Sequence, residues 1–576
     1  MRKKQNYPKG IYFLGGKFFV SLLLLLVLVG KFSKAVLSEE REGVDFPFTV
    51  RDHKIGITDG QFILYTYQVL LDRFPEEEGA IHWMKYLDRG WSRFDIFKAF
   101  LNSEEFKTRE GLDNDRNYIY RLYNYFLKRT PAQSDLEYNL TLLREWVATK
   151  GKEKAWFDLF SMFLSSTEFS NVNCKSEGYS YGRRLKPGAP SLRDLFSRNA
   201  KFQPLSKGEK VYLNFQGTSV QTIWDQKLPI IYFENKYIGF TRGYLGNDKF
   251  DIFMLYSSDG THFSQAKRVF NERNEGMSLY DPQISIDYSY CPERYVMVME
   301  CSGNLCFSES STPWYSWSWG KPKLVVKGGN FNGRYISAST GASITDFSGK
   351  RYLYWTVVDD SRTSFETSSH QRLPDDGDEK TYTKGSEMSS SDWTSNADGG
   401  VVLLNAESNV YCSSVWDCNN KDKQDVKYES GRYYLIYNGA NYYRCTRPEE
   451  DIKKGFLNDW GLSVARSTTP LGNFDLDKMG KLIDSVNKNI CGVSYPVINE
   501  IDGELYMYYA FYPQEGGNFT VRSKLIWIGD INFDGEINGL DYILLAQKFG
   551  TSACGNVGDI NEDCKVNAFD WAFLKK

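Results

Sequence analysis

Histidine is almost missing from this chain, with four residues in 576. That leaves little room for a histidine-based metal centre or proton relay. Charge of one sign is missing too: the net charge is −3 and the pI near 6.0. Nothing in that balance draws the chain to nucleic acid or to an anionic membrane surface. The ten cysteines include no C-x-x-C pair, which removes the common zinc frames. Long apolar runs are also lacking. The one from Phe18 to Gly30 holds 13 residues, against the ~20 a bilayer-spanning helix needs.

That short run nevertheless has a context. Arg2, Lys3, Lys4, Lys9 and Lys17 precede it, and Ser33-Lys34-Ala35 follows as a small-x-small cleavage site. Residues 1–35 therefore read as a secretory signal peptide, with a linker over 36–57. Counting back to Ile11 gives 20 residues broken only by Lys17, so an uncleaved membrane anchor stays open as the alternative. Either reading places the protein outside the cytoplasm, secreted or at the cell surface. An even cysteine count suits such an oxidising compartment. Close spacing suggests Cys301–Cys306, Cys412–Cys418 and Cys554–Cys564 as pairs.

What the chain does have is aromatic content, 16% with 39 Tyr and 14 Trp, and length for three or more domains. Residues 58–170 carry apolar residues at helical spacing, in two copies. Leu71-Asp72-Arg73-Phe74-Pro75 aligns with Leu127-Lys128-Arg129-Thr130-Pro131. Ser103-Glu104-Glu105-Phe106 aligns with Ser166-Thr167-Glu168-Phe169. Arg73 with Glu105, and Arg129 with Glu168, are expected to form structural ion pairs or caps. These L-x-R-x-P and S-x-E-F signatures resemble a helical repeat module of unassigned function found in bacterial extracellular proteins. Residues 171–207, polar and punctuated by Pro187 and Pro190, read as a linker or strap.

From 208 to 528 the period becomes alternating. One phrase, a turn followed by aromatic and apolar residues in alternation, recurs five times: at 234–240, 292–299, 348–357, 430–438 and 502–510. Five copies predict a five-bladed β-propeller, each phrase marking one four-stranded blade. The turns Ser257-Ser258-Asp259-Gly260 through Phe263, and Ala465-Arg466-Ser467 through Phe474, resemble those of the arabinanase, xylosidase and fructosidase superfamily.

That resemblance implies carboxylates on the inner strands facing a central funnel, one as base or nucleophile and one as general acid. Asp281, before Pro282, is the first candidate and Asp425 the second. Glu300, in Met-Glu-Cys, is a candidate acid. The equivalent places in the other blades hold Leu228-Pro229, Ser339-Thr340-Gly341 and Tyr495-Pro496. The stretch from Asp359 to Asp398, which carries Trp393 and His370, reads as an insertion that could fold over the funnel as a lid and bring Glu366, Asp392 or Asp398 in. Trp314, Trp317 and Trp319 read either as a binding platform or as half core. Two functions stay open: a glycoside hydrolase acting on polysaccharide, or a non-catalytic glycan-binding or scaffold protein.

The last 48 residues repeat D-x-N-x-D-x-x-[IV]-N-x-x-D. Oxygen ligands recur with the spacing that wraps calcium. The first loop offers Asp530, Asn532, Asp534, Asn538 and Asp541, with the carbonyl of Glu536. The second offers Asp559, Asn561, Asp563, Asn567 and Asp570, with the carbonyl of Lys565. The segment, 529–576, resembles a type I dockerin, which implies two Ca2+ ions and a cohesin-type partner. Cys564 stands where the first loop has Gly535. The partner-selecting positions hold Gly539-Leu540 and Ala568-Phe569.

Overall fold

A computed structural model describes residues 54–574, apart from 175–184, 222–226, 361–379, 390–392, 406–416, 418–419, 441–460, 485–489, 514–518, 533–536, 553–559, 561–564 and single positions 272, 333, 347 and 430. The expected signal segment, the Cys412–Cys418 and Cys554–Cys564 pairs, Glu366, His370, Asp392, Asp534, Gly535, Glu536, Asp559, Asn561 and Asp563 lie outside the described residues. Among those residues no helix is long and apolar enough to cross a membrane. An N-terminal helical region leads into a β-propeller and then a small helical C-terminal region.

The two helical copies fold alike. Helices Asp59–Leu71 and Asp115–Leu127 each end on a left-handed residue, Asp72 and Lys128. The arginine after that reversal reaches the far end of its own copy. Arg73 Nε and Nη2 donate to both Glu105 oxygens at 2.7 and 2.8 Å. Arg129 does the same to Glu168 at 2.5 and 3.0 Å. Each guanidinium also lies over a tyrosine, Tyr67 at 4.9 Å and Tyr123 at 4.7 Å. Ser103 and Ser166 cap the short following helices by accepting from Phe106 N and Phe169 N. The paired signatures are thus structural, a two-point clamp that closes each copy.

The propeller has five antiparallel blades. Its inner strands are Ile230–Phe233, Leu279–Asp287, Arg334–Thr345, Asn420–Glu429 and Ile490–Ile501. Each recurring phrase forms a second strand: Lys236–Gly246, Arg294–Cys301, Arg351–Asp360, Arg432–Ala440 and Glu504–Pro513. Left-handed residue pairs such as Glu234-Asn235 and Asp502-Gly503 provide the tight hairpin turns. The fifth blade takes its outermost strand, Glu209–Leu213, from the start of the domain, pairing it with Phe519–Trp527. Closing the ring with its own first strand leaves no open edge there. Apolar layers fill the spaces between neighbouring blades, Met254 and Met297 in one, Val298 and Trp355 in the next.

Two expectations need correcting here. The stretch Asp359–Asp398 is not one insertion, because Lys380–Met388 within it is the third strand of blade 3. The tryptophans form no exposed platform. Trp319 and Trp317 are buried, Trp317 in the core of the helical region, and Trp314 stacks on Phe233 at 3.7 Å.

That burial shows how the helical region docks on blade 2. Lys54–Ile55 pairs parallel with Tyr290–Cys291. Arg273, buried, is gripped by Asp88 at 2.6 and 3.0 Å. Lys267 meets Glu77 at 2.6 Å. A disulfide joins Cys174 to Cys291, and a second joins Cys301 to Cys306 as its spacing suggested. In the described part of the 171–207 segment, Leu192 and Leu195 sit in the layer between blades 4 and 5, and Ala200–Phe202 pairs with Phe519–Trp527.

Candidate functional site

Four of the five inner strands share an irregularity. Each breaks register with its neighbour (Ile490–Ile501 does so twice), and at one break in each stands a residue in the left-handed region. These are Asp281 (φ 46°), Thr340 (φ 32°), Lys423 (φ 56°) and Tyr495 (φ 56°). None is glycine, so each carries strain of roughly 1 kcal/mol or more. A bulge re-aims a side chain that regular pleating would direct elsewhere. Here it turns one residue per blade toward the channel axis, and blade 1 adds Arg242 from its second strand.

The five side chains meet. Thr340 Oγ1 donates to Asp281 Oδ2 at 3.1 Å. Arg242 Nη1 lies 3.2 Å from Asp281 Oδ1 as an ion pair, with its guanidinium 5.6 Å from the Tyr495 ring centroid. Lys423 Nζ sits 5.0 Å from the same ring and donates to Ser339 Oγ at 3.4 Å. All five are buried. Among the described residues, Asp281 Oδ1 accepts no hydrogen bond. Lys423 has only that one long contact and no carboxylate at ion-pair distance.

Glu300 belongs to this cluster at one remove. It accepts from Ser339 Oγ at 2.5 Å, next in sequence to the threonine that holds Asp281. The two hydroxyls stand 3.4 Å apart. Laid end to end, these contacts hold the two carboxylates within roughly 9 Å of each other, inside the span used by acid–base pairs on sugars.

Asp425, the second candidate, does not join them. Its Oδ1 accepts from Gln283 Nε2 at 3.0 Å and Val426 N at 2.9 Å. Its Oδ2 accepts from Ile498 N at 3.0 Å and lies 3.2 Å from Lys427 Nζ. With no exposure and contacts to blades 2, 4 and 5, this carboxylate is a clamp between inner strands. Asp398 is bound to Lys384 at 3.2 Å and stays away from the funnel.

Beneath the cluster lies Lys227, buried, donating to Gln424 O at 2.7 Å and Gly341 O at 3.3 Å. Burial drives its pKa down from 10.5 to about 8, against the upward pull of Asp425 and Asp281. A separate cavity opens further along the same strands, lined by Ser285, Thr345, Lys427 and Asn499. Its lining begins at Gln283, two strand residues from Asp281.

Arg242, Thr340, Lys423 and Tyr495 escape a search for carboxylates. A usable signal exists for two of them, since Tyr495-Pro496 and Thr340-Gly341 occupy the place of Asp281-Pro282. For Arg242 there is none.

In the C-terminal region the two loops are built identically where they are described. Asp541 accepts from Ile531 N at 2.8 Å and Asn538 N at 2.8 Å. Asp570 accepts from Ile560 N at 2.7 Å and Asn567 N at 2.7 Å. Asn538 and Asn567 accept from Leu540 N and Phe569 N, both at 2.8 Å. Asp530, Asp541 and Asp570 are buried carboxylates. An all-oxygen set of buried anions fits a hard divalent cation, whose charge would compensate them. Leu540 and Phe569 point outward, 57% and 72% exposed.

Residues 528–576 match the dockerin type I domain, and residues 48–110 and 97–173 match a domain of unknown function, DUF4214. The C-terminal region is a type I dockerin, a class that binds calcium and docks on cohesins. No curated protein matches the chain significantly. Among solved structures it is similar to the catalytic domain of a GH62 α-L-arabinofuranosidase from Coprinopsis cinerea. The identity is 11%, the TM-score 0.36, and the match covers 57% of this chain and 96% of that one. It is also similar to a GH43 endo-arabinanase from Bacillus licheniformis, at 15% identity, TM-score 0.32, and coverage of 55% and 97%. For a xylan β-1,4-xylosidase from Bacillus halodurans the values are 12%, 0.35, 59% and 54%. A dockerin and disulfides together are marks of an extracellular or cell-surface protein.

Proposed function

We propose that this chain is a secreted carbohydrate-active protein, carried by its dockerin, whose propeller funnel holds a sugar against the Tyr495 ring. One observation carries the reading: Asp281 Oδ1 accepts no hydrogen bond and Lys423 makes only a 3.4 Å one, although both are buried. Buried polar groups are ordinarily satisfied. A buried ammonium with donors to spare beside an aromatic ring, next to a carboxylate whose Oδ1 is held only by an ion pair to Arg242, is a set that recognises a sugar, through hydroxyls at its edge and C–H groups on its face. Arg242 pairs with Asp281 at 3.2 Å and fixes it, and the bulges hold the cluster in place before a ligand arrives. In the dockerin, two Ca2+ ions would be held by Asp530, Asn532, Asp534, Asn538 and Asp541 and by Asp559, Asn561, Asp563, Asn567 and Asp570. The carbonyls of Glu536 and Lys565 would complete the loops. Calcium would supply the charge that compensates the buried Asp530, Asp541 and Asp570.

Hydrolysis is the second reading, favoured by the nearness of Glu300 and Asp281, each held by one of two adjacent hydroxyls, Ser339 and Thr340. Asp281 would activate water while Glu300 protonates the leaving oxygen. It ranks second because the other bulges carry Thr340, Lys423 and Tyr495 and no further carboxylate. The test is full-length protein against a polysaccharide panel, by affinity electrophoresis and reducing-sugar release. Retardation by at least one glycan, abolished in Asp281→Asn, is expected without sugar release. Release that disappears in both Asp281→Asn and Glu300→Gln would install the hydrolytic reading. Absence of binding to the whole panel by folded protein would refute the glycan site.

A further inference from the structure

Lys423 is the anomaly of the funnel floor. An ammonium has three N–H donors and is strongly hydrated, so burying it demands acceptors. Its residue is 8% exposed, yet among the described residues one hydroxyl at 3.4 Å is all it reaches. The nearby buried cations are provided for. Arg242 has Asp281 at 3.2 Å. Lys427 has Asp425 at 3.2 Å. Lys227 has two carbonyl oxygens. Glu300 stands behind Ser339 and is taken up by that hydroxyl at 2.5 Å. Lys423 is held left-handed at its bulge, with Nζ 5.0 Å from the Tyr495 ring centroid.

We infer that Lys423 takes the negatively charged substituent of an acidic glycan, a uronate carboxylate or a sulfate ester. The inference rests on the reading of the funnel as a sugar site and narrows it to a class. A monoanionic group at Lys423 supplies the charge partner that the protein withholds. It does so in a buried setting where a charge-assisted hydrogen bond is about twice as strong as a neutral one. Tyr495 then supports the pyranose face, and Asp281 Oδ1 accepts from a hydroxyl on the side away from the acid. Asp281 also repels a second anion, which selects a residue with one charge over one densely charged.

The test uses full-length protein with calcium and four probes of matched length: oligogalacturonate, its methyl ester, and a galactan oligomer with and without one sulfate ester. Calorimetric titration is expected to show binding to oligogalacturonate or to the sulfated galactan at least tenfold tighter than to the uncharged counterpart. Which acid wins identifies the substituent. Lys423→Gln should remove that preference, and Lys423→Arg should restore much of it, with near-ultraviolet circular dichroism reporting an intact fold. A wild-type protein that binds the ester and the acid equally overturns the inference while leaving the sugar site standing. Loss of binding to every probe overturns both. A Lys423→Gln variant that keeps the acid preference while folded also overturns it.

Discussion

Lys227 gives the sharpest quantitative test of the propeller's interior. Its ammonium is wholly buried and bridges the backbone of blades 3 and 4 through Gly341 O and Gln424 O. Desolvation outweighs the pull of Asp425 and Asp281, so the folded pKa falls from 10.5 to about 8. Between these values the unfolded chain holds a proton that the folded chain has released. Stability therefore rises with pH through this window, is complete above the unfolded pKa, and is lost as pH falls through about 8. At 1.36 kcal/mol per pH unit, the full effect is on the order of 3 kcal/mol. Only part of it is accessible. Buried tyrosines such as Tyr65, raised to about 12 by desolvation, destabilise the fold once their unfolded counterparts ionise near 10. The clean window is pH 7 to 9.5, where the expected gain is about 2 kcal/mol.

The perturbation is Lys227→Met, which keeps the length and removes the charge. At neutral pH it deletes a costly buried ammonium but orphans two carbonyls, each worth roughly 1–3 kcal/mol. The absolute change could take either sign, so the slope is what discriminates. Urea titrations of both proteins at half-unit pH steps, with calcium in excess, give the difference directly. The wild type should gain about 2 kcal/mol on the variant between pH 7 and 9.5, nearly all of it above pH 8. Parallel curves would show that Lys227 is not desolvated and that the inter-blade core is wet.

Three other outcomes follow from the same geometry. Asp88→Ala strands Arg273, whose side chain is 2% exposed, and should cost about 3–5 kcal/mol, read as early unfolding of the helical region in urea. Chelating calcium should erase the helical signal of an isolated 529–576 peptide and abolish capture by a cohesin, and Asp541→Ala should reproduce the loss. Leu540→Asp with Phe569→Asp alters two exposed side chains, so calcium-dependent folding should survive. Cohesin capture should weaken at least tenfold, measured by surface plasmon resonance, if these residues form the docking face.

The strands were readable because their signal is local. Alternation and tight turns belong to neighbours, and the phrase at 502–510 needs nothing beyond itself to become Glu504–Pro513. The arginine clamps were readable because the chain states them twice. The site was harder for a physical reason. Searching for carboxylates finds Asp281 and Asp425 equally, yet they face opposite fates. Asp281 stands at its bulge, whereas Asp425 lies two residues beyond Lys423, the residue at the equivalent break. A register difference of this size decides whether a side chain meets the funnel or the space between strands. Register at a bulge is set by the partner strand, which the local sequence does not contain. The same holds for Cys174–Cys291, 117 residues apart, where no spacing rule could choose the partner. Lys423 follows from that logic. As a residue type it promised nothing, and only the bulge, the Tyr495 ring and the want of a counter-charge make it the most informative side chain in the funnel.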